Sequence, residues 1–173
     1  MLDFVLFSLL SSSLVIDILA DPPSRRPNIV FMLVDDTGYN DVGYHNRSAA
    51  APPRIHTPNI DALADAGVKL TNYYVQPICT PSRAALMTGR YPFRYGVNGY
   101  TIGAEAPWGI PLEEVFMPEF FQDAGYVTAM FGKWHLGFFK REYLPTQRGF
   151  ERQSGIYNAL ADHYTHEIGG GYD

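Results

Sequence analysis

Residues 28–38 read Asn-Ile-Val-Phe-Met-Leu-Val, followed at once by Asp-Asp-Thr-Gly. The run Asn28 to Val34 is nearly continuous in apolar β-formers, the pattern of a strand covered on both faces. The polar turn Asp35-Asp36-Thr37-Gly38 ends it. Downstream, Thr57-Pro58 supplies a helix N-cap and a first-turn proline. Ile60, Leu63, Ala64 and Val68 recur at roughly helical spacing, with Gly67 at the stop. Val68 to Val75 reads as a short strand, Pro81 to Met87 as a second helix closed near Gly89, and Pro118 to Ala124 as a third ended by Gly125. Tyr126 to Phe131 reads as a third strand. This alternation predicts an α/β layer fold with a mainly parallel sheet. Ligand sites in such folds gather outside the carboxyl ends of the strands. Asp35-Asp36 and Gly132-Lys133-Trp134-His135 fall there.

The chain has 173 residues, 46% hydrophobic and 18% charged, with a formal net charge of −5. That length suits one core of ordinary size, and the apolar fraction excludes a disordered chain. Thirteen basic against 18 acidic residues leave no electrostatic footprint for nucleic acid. The twelve tyrosines and eleven phenylalanines therefore read as core and not as a base-stacking surface. One cysteine, Cys79, excludes an intrachain disulfide and any multi-cysteine zinc site. At the start, Phe4 to Leu10 and Leu14 to Ala20 are apolar runs separated by three serines. Residues 1–20 read as a secretory signal cleaved after Ala20, although Asp3 and Asp17 are unusual in one. Residues 21–26 read as a polar linker. No uninterrupted apolar stretch reaches the ~18 residues of a membrane span. Asn46-Arg47-Ser48 is a glycosylation sequon. The final Gly169-Gly170-Gly171-Tyr172-Asp173 has no helix or strand pattern, as though the chain were cut there.

Three segments carry chemistry. Two adjacent carboxylates, Asp35 and Asp36, cannot share a face inside a strand but converge at its end. They repel and invite a hard cation such as Ca²⁺ or Mg²⁺, or else form a solvated turn. Cys79 precedes an apparent helix with Thr80 as N-cap and Pro81 first, an anion site beside a thiol. The plainer reading is a small buried hydrophobe. Arg83 and Arg90 suggest a cationic strip on that helix. Lys133 and His135 alternate in an extended segment and so share a face, which suits an anionic group and proton transfer. The stretch Gly125 to Lys133 is not a P-loop, because six residues separate the glycines and Trp134 replaces the required Ser/Thr. His163 and His166, three apart, lack zinc-motif spacing, and their surroundings suit a substrate-facing loop or a surface one equally. His45 and His56 read as loop residues.

The ordered set Arg26-Pro27-Asn28-Ile29-Val30…Asp35-Asp36, His56-Thr57-Pro58-Asn59-Ile60-Asp61, Cys79-Thr80-Pro81-Ser82-Arg83, Met87-Thr88-Gly89-Arg90 and Gly132-Lys133-Trp134-His135-Leu136-Gly137 resembles the N-terminal part of formylglycine-dependent sulfatases. Tyr143-Leu144-Pro145-Thr146-Gln147-Arg148-Gly149-Phe150 with Asp162-His163-Tyr164-Thr165-His166 looks like the arylsulfatase B group. The resemblance implies an α/β, alkaline-phosphatase-like sandwich with a mainly parallel sheet, of which residues 27–173 are the N-terminal portion of the catalytic domain. It implies that Cys79 is oxidised to formylglycine by a formylglycine-generating enzyme that recognises Pro81 and Arg83. One hydroxyl of the hydrated aldehyde would attack sulfur and the other would expel sulfate. Asp35, Asp36 and the modified Cys79 would bind Ca²⁺. Arg83 and Lys133 would neutralise developing charge, and His135 would assist proton removal. The implied substrates are aryl sulfates or sulfated sugars, those of glycosaminoglycans included, and the implied location is the secretory pathway, lysosomal or extracellular.

Family members are several hundred residues long, and their second half supplies further metal ligands, a His and a Lys. The expectation is a truncated sheet with apolar edges and little or no sulfatase activity in this polypeptide alone. The competing reading is a non-catalytic fragment that binds sulfated ligands. A phosphohydrolase of the same superfamily would more often carry Ser or Thr at the nucleophile, where this chain has Cys79.

Overall fold

The computed structural model describes residues 26–45, 55–168 and 171–172. The signal-like residues 1–20, most of the linker, the sequon at Asn46 and part of the glycine-rich end lie outside the described residues. The chain divides into two compact units, one ending at Thr37 and one from Gly38 to Asp173.

In the first unit, residues 26–34 enter no hydrogen-bonded ladder among the described residues, which corrects the strand expected at Asn28 to Val34. Its apolar side chains are exposed, Val30 at 83%. A β-former run dictates side-chain chemistry, but a strand exists only where a neighbouring backbone accepts and donates its hydrogen bonds.

In the second unit, one-turn 3₁₀ segments Tyr39–Asp41 and Gly43–His45 lead to helix α1, Pro58–Ala66. Its start is fixed as expected by Thr57 and a proline in the first turn, but the Thr57 hydroxyl does not cap its own helix. It donates to Asp61 Oδ1 at 2.8 Å and accepts from the Gly43 amide at 2.7 Å, tying α1 to the preceding turn. The strand expected at Val68 to Val75 is also absent, since residues 68–75 pair with nothing in a ladder and Val68 and Tyr74 are each 87% exposed.

Helix α2 spans Cys79–Thr88 and closes at Gly89, whose φ of 65° is left-handed and whose amide donates to Ala85 O at 2.9 Å. Helix α3 spans Met117–Asp123. Its first turn is held by the Glu119 carboxylate, which accepts from the Phe116 amide at 2.9 Å. Strand β1, Ala129–Phe131, pairs in parallel with β2, Arg152–Ser154, in the register Ala129 to Arg152. The parallel pairing matches the expected sheet, and β1 is the end of the expected third strand. A short antiparallel pair, β3 (Glu167–Ile168) with β4 (Gly171–Tyr172), follows.

The core of this unit gathers Ala84 of α2 with Val97, Ile102, Ile110, Phe116, Trp134, Leu136 and Phe150. Trp134 sits between Phe116 and Phe150, with ring centroids at 5.8 and 6.3 Å in tilted and edge-on contact. Its indole N–H donates to Gly137 O at 3.0 Å and Tyr143 O at 3.1 Å, so the buried polar atom is satisfied. Among the described residues no helix is long and apolar enough to cross a membrane.

Candidate active site

The parallel ladder does not stop at the strand ends. Gly132, Trp134 and His135 amides donate to Ser154, Ile156 and Tyr157 carbonyls, each at 2.9 Å. This extension carries Lys133 and His135 past the carboxyl end of β1, where sequence reasoning places them. The alternation expected of an extended segment ends at His135, whose φ is 59°. Lys133 and His135 therefore do not present their side chains in one row. Lys133 Nζ donates to Cys79 Sγ at 3.1 Å, across 54 residues of chain. The His135 ring lies 2% exposed, with Nε2 at 2.9 Å from Ile102 O. A carbonyl only accepts, so Nε2 carries a proton in this contact.

Cys79 is half-buried and is itself the first residue of α2, with Ile78 as N-cap. The expected cap at Thr80 and first position at Pro81 are each off by two residues. The thiol thus stands at the positive end of the helix dipole, beside an ammonium group. Thr80 is fully buried, and its hydroxyl donates to His135 O at 3.0 Å and accepts from the Ile102 amide at 3.1 Å. Arg83, one turn into α2, donates through Nη1 to Lys133 O at 2.5 Å. It grips the main chain of the very residue whose side chain reaches Cys79. The cationic strip with Arg90 does not form. Arg90 lies beyond the helix stop and makes a two-oxygen contact with Glu114, at 2.5 and 2.6 Å.

The structure therefore brings together Cys79, Arg83, Lys133 and His135 in the unit from Gly38 onward. Asp35 and Asp36 belong to the other unit, where they occupy an exposed turn. Asp36 has φ 55°, a left-handed conformation that a short polar side chain tolerates better than most. His163 and His166 are both exposed, in a turn and beside one. There the Asp162 carboxylate accepts from the Tyr164 and Thr165 amides at 2.8 Å each. Those bonds, Thr165 first, hold its carboxyl below the ordinary aspartate range. His45, expected in a loop, ends the 3₁₀ segment Gly43–His45 and stacks on Tyr39 with ring centroids 3.8 Å apart.

Sequence reasoning missed two contributors. Ile102 takes part only through its peptide group, for which no sequence signal exists. Arg148 is 3% exposed and donates to Ile110 O, Pro111 O and Glu114 O at 3.1, 3.3 and 2.7 Å. Burial lowers its pKa, while Glu119, Tyr143 and the glutamates 113 and 114 act in the opposite direction.

The profile of one family, described as Sulfatase, matches residues 27–173. Arylsulfatase J of Mus musculus is 45% identical over 143 residues, which are 83% of this chain and 23% of that relative. Human N-acetylgalactosamine-6-sulfatase is 40% identical over 142 residues, 78% of this chain and 26% of that relative. Among solved structures, the PsFucS1 sulfatase from Pseudoalteromonas sp. superposes with a TM-score of 0.62 at 40% identity, covering 79% of this chain and 27% of that one. The likeness bears out the alkaline-phosphatase-like α/β class with a parallel sheet, in its N-terminal portion. The chain spans about a quarter of the length of the curated relatives it matches.

Proposed function

The chain belongs to the sulfatase family, and from that premise we propose that residues 27–173 are the nucleophile-bearing part of a sulfuric ester hydrolase of arylsulfatase type. The observation that carries the reading is the contact between Lys133 Nζ and Cys79 Sγ at 3.1 Å. A sulfate ester and its cleavage products are anionic, and a positioned ammonium at the first residue of a helix is the environment such groups require. The names of the relatives point to aryl sulfates and sulfated amino sugars as substrate classes.

The proposed nucleophile is formylglycine made from Cys79, whose hydrated aldehyde would supply one hydroxyl to attack sulfur and a second to expel sulfate, the step that a serine lacks. A divalent ion, Ca²⁺ in this reading, supplies polarisation of the sulfate. Asp35, Asp36 and the modified Cys79 are the proposed ligands, and the exposed Asp carboxylates are of the oxygen type that hard cations take. Lys133 holds negative charge at the position now filled by Sγ. Arg83 fixes Lys133 through its carbonyl oxygen and adds a second cation to the site. His135 handles a proton through Nδ1, since Nε2–H is committed to Ile102 O. The formylglycine-generating enzyme is the proposed partner. The secretory pathway, with a lysosomal or extracellular destination, is the proposed location.

The test is peptide mass spectrometry across Cys79 after expression through a secretory pathway, paired with hydrolysis of a chromogenic aryl sulfate. The assay is run on the chain and on a version extended by the C-terminal part of a sulfatase. Formylglycine at Cys79 with turnover in the extended version supports the reading. An unmodified thiol with binding of sulfated ligands and no turnover in either version favours the non-catalytic alternative.

A further inference from the structure

Three hydrogen bonds close a ring directly behind the candidate nucleophile. The Thr80 hydroxyl donates to His135 O at 3.0 Å, the Ile102 amide donates to the Thr80 hydroxyl at 3.1 Å, and the His135 ring Nε2–H donates to Ile102 O at 2.9 Å. The members are separated by 55, 22 and 33 residues in sequence, so the ring joins three segments that nothing local holds together. Thr80, Ile102 and His135 are exposed by 0, 2 and 2%, respectively, so water does not substitute for any of the three bonds. A hydroxyl donates and accepts through a single atom, and the ring uses both capacities.

Thr80 is bonded to Cys79, and His135 is two residues from Lys133. The ring therefore clamps the backbone on both sides of the contact between Lys133 Nζ and Cys79 Sγ. We propose that Thr80 is a positioning residue, whose hydroxyl sets the start of α2 against the Lys133–His135 segment and thereby holds the Cys79 side chain against the Lys133 ammonium. Thr80 touches neither reacting atom in this arrangement. Its catalytic meaning rests on the sulfatase reading; the geometry it enforces does not.

The test reads that geometry without any turnover. The reduced chain is alkylated at Cys79 with iodoacetate and with iodoacetamide, and the ratio of the two rates is compared between variants. A nearby ammonium favours the anionic reagent, so Lys133→Met defines the ratio with the cation absent. We expect the ratio in Thr80→Val, which keeps the shape and loses the hydroxyl, to fall about threefold or more, to the Lys133→Met level. Thr80→Ser keeps the hydroxyl and should stay within about twofold of the parent chain. Thr128→Val is the control for a merely structural loss. Thr128 is also a buried bridging hydroxyl, donating to Gly149 O at 2.7 Å and accepting from the Glu151 amide at 3.2 Å, and its loss should leave the ratio unchanged.

A folded Thr80→Val chain with the parent ratio overturns the proposal, as does an equal fall in Thr128→Val or an unchanged ratio in Lys133→Met. Where Thr80→Val does not fold, Thr80→Ser at the parent ratio with Thr80→Ala at the Lys133→Met ratio supports it, and any other pair of values overturns it. Absence of aryl sulfate hydrolysis in the extended protein would remove the sulfatase reading and leave these ratios standing.

Discussion

Replacing Arg148 by lysine keeps the charge and removes the geometry. The guanidinium is 3% exposed and spans three carbonyls, Ile110 O, Pro111 O and Glu114 O, from one planar fork. Its Cζ also lies 3.8 Å from the centroid of Phe116. A lysine ammonium is a single point on a flexible stem and can serve one of those carbonyls well. Ile110 and Glu114 are buried, so at least one stranded acceptor has no water to turn to; Pro111 is half-buried and is discounted. A stranded buried acceptor costs about 1–3 kcal/mol, and the lost contact with Phe116 adds about 1 kcal/mol. The ion pair with Glu119, at 4.0 Å and on a carboxylate that is partly exposed, adds little. Arg148→Lys should therefore destabilise the unit by about 2–4 kcal/mol, a large share of a domain's usual margin. Urea unfolding followed by tryptophan fluorescence is the assay, because Trp134 is buried against Phe116 and reports on the same packing. A midpoint corresponding to less than about 0.5 kcal/mol, at unchanged slope, would show that the three carbonyls do not depend on the fork.

Gly137→Ala should destabilise by at least about 2 kcal/mol, since φ is 106° and an added Cβ would lie 2.5 Å from Gly109 Cα; thermal melting that matches the parent chain would contradict that close approach. The Asp162 carboxylate is held below its ordinary range, so its support of the Asp162–Thr165 turn is present above the unfolded pKa and is lost as pH falls through the lower folded value. An NMR titration should give Asp162 a lower midpoint in the folded chain than in urea, and equal midpoints would exclude the two amide contacts. In a chain extended to a whole sulfatase, Cys79→Ser should abolish multiple turnover on an aryl sulfate and accumulate a sulfated enzyme, which intact-mass measurement would detect; undiminished turnover would end the formylglycine reading.

The helices were legible because their ends are written in residue types with local effects. Thr57-Pro58 and Gly67 bracket α1, and Gly89 closes α2 through a left-handed φ that favours glycine. Most of the strands were not, β1 at the end of the Tyr126 to Phe131 run excepted, because pairing is a property of two segments. Asn28 to Val34 and Val68 to Val75 have the strand-like composition and no ladder, whereas β2 is Arg152-Gln153-Ser154, which carries no apolar pattern and pairs with β1. At the candidate site, the identities of Cys79, Arg83, Lys133 and His135 were readable as chemistry in motif order. Their division of labour was not. Arg83 grips a main-chain carbonyl, His135 spends Nε2 on Ile102, and Arg90 turns to Glu114. Each of those partners lies 24 to 50 residues away, where spacing carries no information.

The same contrast explains how this unit holds a defined site while leaving much of its apolar surface uncovered. The site depends on backbone hydrogen bonds more than on apolar burial. Residues 132–135 ride beside 154–157 through three main-chain bonds beyond the end of β1. That approach is close enough to require a glycine at 155, whereas Gly132 is called for by its φ alone. Gly132 has φ 113° and Gly155 has φ 144°, and a Cβ on Gly155 would lie 2.6 Å from Gly132 N. The Thr80 hydroxyl then locks α2 onto that ladder, and Arg83 locks it a second time one turn later. Hydrogen bonds of this kind are directional and short-ranged, so they fix positions to tenths of an ångström where a hydrophobic contact tolerates sliding. A nucleophile and its cation need that kind of constraint, because charge stabilisation falls away quickly once the ammonium is displaced. Exposed residues such as Val68 and Tyr74 add no burial and do not enter this chain of constraints. Fold stability and site geometry are thus carried by different residues, which is why the Cys79–Lys133 contact is a separate object of measurement from the stability of the chain that bears it.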